Sequence, residues 1–214
     1  SGNYHEALAL LDALDPALWP HDIHNQRLHI QALVGLASFV NGKFDVAVDL
    51  FIDTHMNPTY VLALYPETIS GPHAQPPSSW ATLFDAQIPW DHAVDETKRT
   101  SSEALDALAR YLSDCRRVLR LKTAHLKHTV CVDTHCIADL PMCACTLDKM
   151  NEKQLMAMAQ VVDTALFHVF LQTKPALLGP MCRVDNWCDV ERVRPHLEQR
   201  HMFDALVSLY RSKQ

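Results

Sequence analysis

The residues best suited to chemistry in this chain form one segment rich in cysteine and histidine. Its members are His125, His128, Cys131, His135, Cys136, Cys143 and Cys145. Thiolates and imidazoles close together are the ligands of tetrahedral zinc, which often binds cysteines separated by two residues. Here Cys131 and Cys136 are five apart, and Cys143 and Cys145 are two apart. The spacing favours thiols packed as small apolar side chains, with a small zinc-binding regulatory domain as an alternative.

The common catalytic motifs are absent from the sequence. No G-x-x-x-x-G-K-[ST] phosphate loop, no G-x-S-x-G nucleophile elbow and no H-E-x-x-H motif occurs. The five glycines provide no glycine-rich loop that could hold a nucleotide. We therefore expect no catalytic, cofactor-binding or metal-binding residues, and a helical enzyme is the least favoured class.

Two other groups of residues could contact a partner. The first is a basic stretch with only Asp114 against it: Arg110, Arg116, Arg117, Arg120, Lys122 and Lys127. It could meet an acidic partner or anionic headgroups, although a solvated helix face more often explains such a run. The second group is Trp80, Trp90 and Trp187. These side chains could be docking anchors, but such tryptophans more often cover an apolar core.

Length, charge and cysteine count narrow the class of protein. A chain of 214 residues fits one large domain or one stretch of a repeat array. Its net charge of −6 provides no broad positive field for a nucleic acid. The sequence has no run of about 18 apolar residues, so no membrane span is predicted, and the N-terminus lacks a signal-peptide pattern. Seven cysteines, an odd number, predict reduced thiols in a cytoplasmic protein.

The elements that position these residues are predicted to be helices. The one Asn-Gly pair, Asn41-Gly42, follows an apolar stripe at helical spacing rather than an alternating one, and no Asp-Gly pair is present, so β-structure has little support. Two apolar stripes at helical spacing occupy the N-terminal part: Tyr4, Ala7, Leu8, Leu11 and Leu14, then Ile30, Leu33, Val34, Ala37 and Val40. Pro16 should end the first helix, while Asp22 and Gly42 should cap the second at its two ends.

Three cap signals predict later helices: Asn57-Pro58, the Thr100/Glu103 capping box and the Asn151/Gln154 capping box. The first of these helices should run through Tyr65. The two long helices that follow have the stripes Leu105, Leu108, Leu112, Cys115, Leu119 and Leu155, Met158, Val162, Ala165, Val169. Prolines between residues 66 and 90 predict a long surface loop. A short helix bracketed by Pro175 and Pro180, and another from about Phe203 to Arg211, should complete the chain.

One apolar pattern recurs. Gly2-x-Tyr4-x-x-Ala7-Leu8-x-Leu10-Leu11 returns 40 residues later as Gly42-x-Phe44-x-x-Ala47-Val48-x-Leu50-Phe51. A weaker third copy is Phe203, Leu206, Val207, Leu209 and Tyr210. An aromatic residue followed by a small one lets antiparallel helices approach closely, and such hairpins need neighbours to bury their apolar surface. We predict an all-α chain, an α-solenoid of stacked antiparallel helical hairpins similar to tetratricopeptide or clathrin heavy-chain repeats.

The predicted organisation is one solenoid fragment with five segments. They are helical hairpin repeats (1–66), a proline-rich surface loop (67–99), a long amphipathic helix (100–127), a cysteine-rich irregular linker (128–150) and further helical repeats (151–214). The chain opens on Ser1-Gly2 without an initiating methionine, so we expect a piece of a longer protein.

Two blocks of sequence resemble a known family. The first comprises residues 42–51 and 57–67, with a Pro-x-x-Val-x-x-Leu-Tyr-Pro pattern, and the second comprises 161–166, 171–173, 177–180, Cys188 and 203–210. In the same order, they are similar to the vacuolar protein sorting family that includes the Vps-thirty-nine (Vam-six) subunit and the TGF-beta receptor-associated protein. Residues 122–150 have no counterpart there. Pro195 falls where the family pattern has a helix, which is therefore expected to begin near Pro195.

The resemblance implies a non-catalytic scaffold segment of the HOPS or CORVET tethering complexes, which engage Rab GTPases before membrane fusion. The implied partners are other tethering subunits and a Rab GTPase or organelle-contact protein. The implied location is the cytoplasmic side of vacuole, lysosome and late endosome membranes, with peripheral and indirect attachment. A generic helical-repeat adaptor that docks a peptide or organelle-contact partner is the alternative.

Overall fold

Every regular element in the described part of the chain is helical. The computed structural model describes residues 20–74, 96–126, 132–137 and 140–213, and the single positions 6, 9, 10 and 13. The helices in these ranges are α1 (Pro20–Val40), α2 (Phe44–Asp53), α3 (Pro58–Leu62), α4 (Glu67–Ser70), α5 (Glu96–Arg99), α6 (Ser102–Thr123), α7 (Glu152–Thr173), α8 (Leu178–Arg183), α9 (Val190–Gln199) and α10 (Phe203–Arg211). The same residues contain no strand, so the predicted all-α class is confirmed for them.

The hairpin of α1 and α2 packs as the recurring pattern predicts. Gly42 adopts φ +75° between the helices, the left-handed conformation that ends a helix. The predicted inward residues of α2 are all buried: Phe44, Ala47, Val48 and Phe51. Gly35 lets the two helices approach closely, because a Cβ atom there would lie 2.8 Å from Phe51 Cε1.

The face of α1 that is buried differs from the predicted one by a rotation of part of a helical turn. The fully buried line is Ala32, Leu36 and Phe39. The predicted residues are only half-buried: Ile30, Leu33, Val34, Ala37 and Val40. Phe39 accounts for the difference, because its ring packs edge-on against Phe44 and Tyr65 at 5.1 and 5.3 Å. The helix also begins at Pro20 rather than Asp22, and the stripe predicted for the preceding helix lies outside the described residues.

Asn57 and Pro58 open α3 as predicted. The Asn57 side chain accepts a hydrogen bond from Thr59 N at 3.1 Å, and Pro58 is the first helical residue. The helix ends at Leu62 rather than at Tyr65, since the chain turns back there through a bond from Tyr65 N to Leu62 O of 3.0 Å. The turn directs the chain into α4.

The predicted surface loop of residues 67–99 begins with ordered helical structure. In α4, Ile69 and Ser70 are buried. The buried Ser70 hydroxyl donates to the Leu62 carbonyl oxygen at 2.5 Å. A 3₁₀ turn at Gly71–Ala74 follows. Trp80 and Trp90 lie outside the described residues, so their predicted contacts stay predictions.

The two long helices, α6 and α7, form the centre of the core. Their predicted stripes are buried apart from the half-buried Cys115: Leu105, Leu108, Leu112 and Leu119 on α6, and Leu155, Met158, Val162, Ala165 and Val169 on α7. The capping box of Asn151 and Gln154 is confirmed by reciprocal bonds of 2.9 and 3.1 Å. The cap of α6 is Ser101 rather than Thr100, because Ser101 Oγ accepts the Ala104 N–H at 3.2 Å.

Among the described residues, α7 is the one helix long and apolar enough to cross a membrane. However, 78% of its apolar window is buried inside the structure. A core helix has this composition because neighbouring helices surround it. The burial of α7 is therefore explained by its position between α6 and the C-terminal helices.

The C-terminal helices differ from the prediction at two prolines. Pro180 lies in the first turn of α8, where a missing N–H costs nothing. Pro195 lies inside α9, which begins at Val190 after the Asp189 cap, so the predicted start near Pro195 is wrong. The helix tolerates Pro195 because the carbonyl left without a donor belongs to Glu191, an exposed residue. The last helix, Phe203–Arg211, agrees with the prediction.

Candidate interaction surfaces

The cysteine-rich segment is bonded to the core rather than free. The strap, which we define as residues 140–147, runs along the turn between α2 and α3. Ala144 N donates to Thr54 O at 2.9 Å, and Cys145 N donates to His55 O at 3.0 Å. Asn57 adds a bond from its side-chain Nδ2 to the Ile137 carbonyl oxygen at 3.1 Å. In the described residues, the segment predicted as an irregular linker contains two 3₁₀ turns, His135–Ile137 and Leu147–Lys149, and the bonds above attach its backbone to the core.

Burial shifts three thiols of this region toward the protonated form. Burial raises the pKa of Cys115 and Cys143 to about 12, and that of Cys145 to about 11. Such thiols are protonated at neutral pH, whereas nucleophiles and zinc ligands are thiolates. The described residues contain no group of three or more histidine, cysteine, aspartate or glutamate side chains that could hold a metal ion. Two candidates, His128 and Cys131, lie outside them.

A cavity of about 550 Å³ opens between the end of α2, helix α6 and the strap. Its wall is mostly apolar and includes Phe51, Met56, Tyr111, Cys115, Cys145 and Leu147. Tyr111 closes the inner end, because its hydroxyl donates to the Met56 carbonyl oxygen at 2.6 Å. Sequence periodicity placed Cys115 on the inner face of α6 but gave no signal for a cavity, since the strap that completes its wall has no helical period.

The predicted basic stretch is largely neutralised by ion pairs. Arg110 bonds to Asp45 at 3.2 Å, Arg117 bonds to Asp114 at 2.7 Å, and Lys122 pairs with Asp148. These pairs join exposed side chains, so each contributes little stability. They also remove the unbalanced positive field that an acidic partner would require, which favours the solvated-face interpretation.

Of the other members of the stretch, Lys127 lies outside the described residues, and Arg116 points inward. Its Nε atom lies 2.8 Å from Asp163 Oδ1, and the two side chains are only 16% and 4% exposed. The other carboxylate oxygen of Asp163 accepts the Trp187 N–H at 2.7 Å. Burial raises the pKa of Asp163, while the Arg116 charge opposes this shift. Sequence reasoning missed this pair, although an aspartate inside the apolar run of α7 was a usable signal.

Trp187 covers the core and is not an exposed docking anchor. Its side chain is 7% exposed, and the Lys213 ammonium lies 5.9 Å from the ring centroid. The neighbouring Asp189 N donates to Thr164 Oγ1 at 2.9 Å. The loop between α8 and α9 is therefore attached to α7 through the adjacent residues Asp163 and Thr164.

The third copy of the recurring pattern packs differently from the second. Phe203, Val207 and Tyr210 of α10 are 55%, 48% and 42% exposed, whereas Phe44 of α2 is 7% exposed. Helix α10 instead buries Ala205 and Leu209. The outer face of α10 is consequently an apolar stripe without a covering element among the described residues.

Comparison with known proteins finds sequence similarity to one family. The family described as vacuolar sorting protein 39 domain 1 matches residues 162–214, which include the Asp163 contacts and α8 to α10. Vacuolar morphogenesis protein 6 of Schizosaccharomyces pombe is 23% identical over 99% of this chain and 25% of its own length. Vam6/Vps39-like protein of Homo sapiens is 26% identical over 86% of this chain and 19% of its own length.

A third relative matches a shorter part. Vacuolar morphogenesis protein 6 of Saccharomyces cerevisiae is 37% identical over 28% of this chain and 6% of its own length. The chain thus spans a quarter or less of the relatives that it matches. No solved structure matches it. By its family match and by these relatives, the chain matches the Vps39/Vam6 family of vacuolar sorting proteins.

Proposed function

We propose that this chain is a non-catalytic scaffold segment of a HOPS-type membrane-tethering complex, which supports Rab-dependent docking and fusion at vacuoles and lysosomes. The observation that carries the proposal is the similarity over 99% of the chain to a protein named for vacuolar morphogenesis. A match of that breadth includes both long core helices and the C-terminal helices, so it concerns the whole scaffold rather than one motif.

The character of the surface supports a scaffold over an enzyme. Burial raises the pKa of the Cys115 and Cys143 thiols to about 12, and Arg110, Arg117 and Lys122 pair with aspartates. An enzyme needs an activated nucleophile or a general base in a cleft. The cavity bounded by the strap is lined largely by apolar side chains.

The packing supports an α-solenoid of helical hairpins as its architecture. The antiparallel pair α1 and α2 approaches closely at Gly35, and α2 in turn contacts α6. The uncovered stripe of Phe203, Val207 and Tyr210 is what a hairpin presents to a stacked neighbour. The proposed partners are other tethering subunits and a Rab GTPase or organelle-contact protein, with peripheral attachment to the membrane from the cytoplasm.

A chimera tests this function. The segment of Schizosaccharomyces pombe vacuolar morphogenesis protein 6 that aligns with this chain is replaced by this chain, and vacuole shape is scored in cells that lack the native protein. We expect restored vacuoles and co-purification of the other tethering subunits. A matched chimera with Asp163→Ala, which removes a core contact, should lose both. A stable chimera that restores neither would contradict the proposal.

The adaptor alternative predicts a different result. The purified chain is incubated with purified tethering subunits and with a vacuolar Rab GTPase in its GTP and GDP forms. The scaffold proposal expects binding to at least one tethering subunit. Binding to none of these proteins, together with capture of an apolar peptide in the cavity bounded by the strap, would favour the adaptor.

A further inference from the structure

Histidines from separate elements surround one arginine at the junction of α7, α9 and the Gly71–Ala74 turn. Arg192 of α9 packs its guanidinium over the turn, since a Cβ atom at Gly71 would lie 2.2 Å from Nη2. His168 of α7 and His196 of α9 face each other with ring centroids 5.1 Å apart. His73 in the turn is within electrostatic range of Arg192 and of His135.

The imidazole of His168 is enclosed by this packing. The residue is 4% exposed, and its Nε2 atom is buried without a hydrogen-bond partner in the described part of the chain. Phe167 covers a second edge of the ring, at a centroid distance of 5.8 Å. A neutral imidazole fits such an apolar site, whereas a protonated one would lack both water and a counter-ion.

The charges that act on these histidines are mostly positive. Arg192 and His196 act on His168, and Arg192 and His135 act on His73. Arg200 and Arg192 act on His196. Among the described residues, the acid that acts on Arg192 is Asp189, whose carboxylate also caps α9 by accepting the Glu191 N–H at 3.1 Å. Protonation of the histidines therefore adds like charge to a cationic cluster.

We propose that this cluster is an acid-sensitive latch, which holds α9 and the Gly71–Ala74 turn against α7 at neutral pH and releases them when His168 and His73 are protonated. This inference goes beyond the proposed scaffold role, because it concerns how the C-terminal helices are held. It also stands independently of that role, since it rests only on contacts within this chain.

The direction of the pH effect follows from the lowered pKa values of His168 and His73. Burial and Arg192 lower the pKa of both His168 and His73 from 6.5 to about 4. A lowered pKa means that the folded state resists protonation of the histidine. The contribution of each neutral histidine to the stability of the closed state is therefore complete above pH 6.5 and is lost as the pH falls toward 4. For each histidine, linkage predicts a loss of about twentyfold in the closed-to-open ratio between pH 7 and pH 5.

Hydrogen–deuterium exchange of the full chain at pH 7 and pH 5, corrected for the intrinsic rates, tests the latch. We expect faster exchange of α9 and the Gly71–Ala74 turn at pH 5, with little change in the central part of α6. Equal acceleration throughout the protein would overturn the proposal, because it would indicate general acid unfolding. Unchanged exchange in α9 would overturn it as well.

Two variants separate titration from packing. His168→Gln keeps a similar shape without a titrating ring, and it should reduce the acid response of α9 by about twentyfold. His73→Gln, at a less buried position, provides the same test if the His168 variant folds poorly. The matched control is His24→Gln, at an exposed position on α1, which should leave the acid response intact. A full response in both the His168 and His73 variants would contradict the latch.

Discussion

Arg116 and Asp163 join the two central helices through a contact of 2.8 Å between Nε and Oδ1. The same carboxylate receives the Trp187 amide at 2.7 Å, so one side chain holds α6, α7 and the loop before α9. The position of Asp163 within the region that matches the family indicates that this part of the sequence pattern encodes a structural contact.

Asp163→Ala should destabilise the protein strongly. The change leaves the Arg116 guanidinium without its buried counter-ion and the Trp187 amide without its acceptor, which typically costs about 3–5 kcal/mol. Urea unfolding followed by circular dichroism measures the loss. The matched control is Asp114→Ala, which removes the exposed pair with Arg117 and should cost less than about 1 kcal/mol. Equal losses in the two variants would show that burial of the pair has no special role.

Phe44→Ala and Phe203→Ala should differ although they occupy equivalent positions of the recurring pattern. Phe44 is 7% exposed and packs against Phe39, so its truncation should cost about 3–5 kcal/mol. Phe203 lies on the uncovered face of α10, so Phe203→Ala should change the free energy of unfolding of the isolated chain by no more than about 0.5 kcal/mol. Thermal or urea unfolding provides the comparison. A large loss at Phe203 would mean that another element covers this face.

Gly71→Ala should be destabilising for two reasons. The residue has φ +57°, which costs an L-amino acid roughly 1–2 kcal/mol, and a Cβ atom there would collide with the Arg192 guanidinium. Gly179→Ala is the control, because its Cβ atom would have no neighbour nearer than 3.9 Å. Combining Gly71→Ala with Arg192→Ala should give a loss smaller than the sum, as measured in a double-mutant cycle. Strict additivity would contradict the clash.

The thiols of α6 and the strap should react slowly in the folded protein. Burial raises the pKa of Cys115 and Cys143 to about 12, so the thiolate fraction at pH 7.5 is small. Alkylation by iodoacetamide, mapped by mass spectrometry, should be about a hundredfold or more slower than in urea-unfolded protein. Fast modification of Cys143 in the native state would indicate an exposed thiolate.

Zinc measured in protein purified without chelator tests the metal alternative, which requires about one equivalent.

Local signals in the sequence predicted several helix ends correctly. Gly42 and the pairs Asn57/Pro58 and Asn151/Gln154 act within one or two turns of chain, so the neighbouring residues suffice to define their structure. The cap at Ser101 was displaced by one residue, because two adjacent hydroxyl residues offer equivalent signals. The predicted helix start near Pro195 was wrong, because the free-energy cost of a proline inside a helix depends on whether water reaches the Glu191 carbonyl.

The sequence by itself determined the helical class, the inward faces of α2, α6 and α7, and the family resemblance, since all three are encoded in short-range periodicity and motif order. Only the tertiary structure decided which face of α1 is buried, where Arg116 finds its partner, and that the strap is bonded to the turn at Asn57. Those contacts join residues up to 90 positions apart, and no local pattern specifies them. The cysteine segment shows this most clearly, because its spacing suggested weak metal chemistry while the fold made it part of a cavity wall.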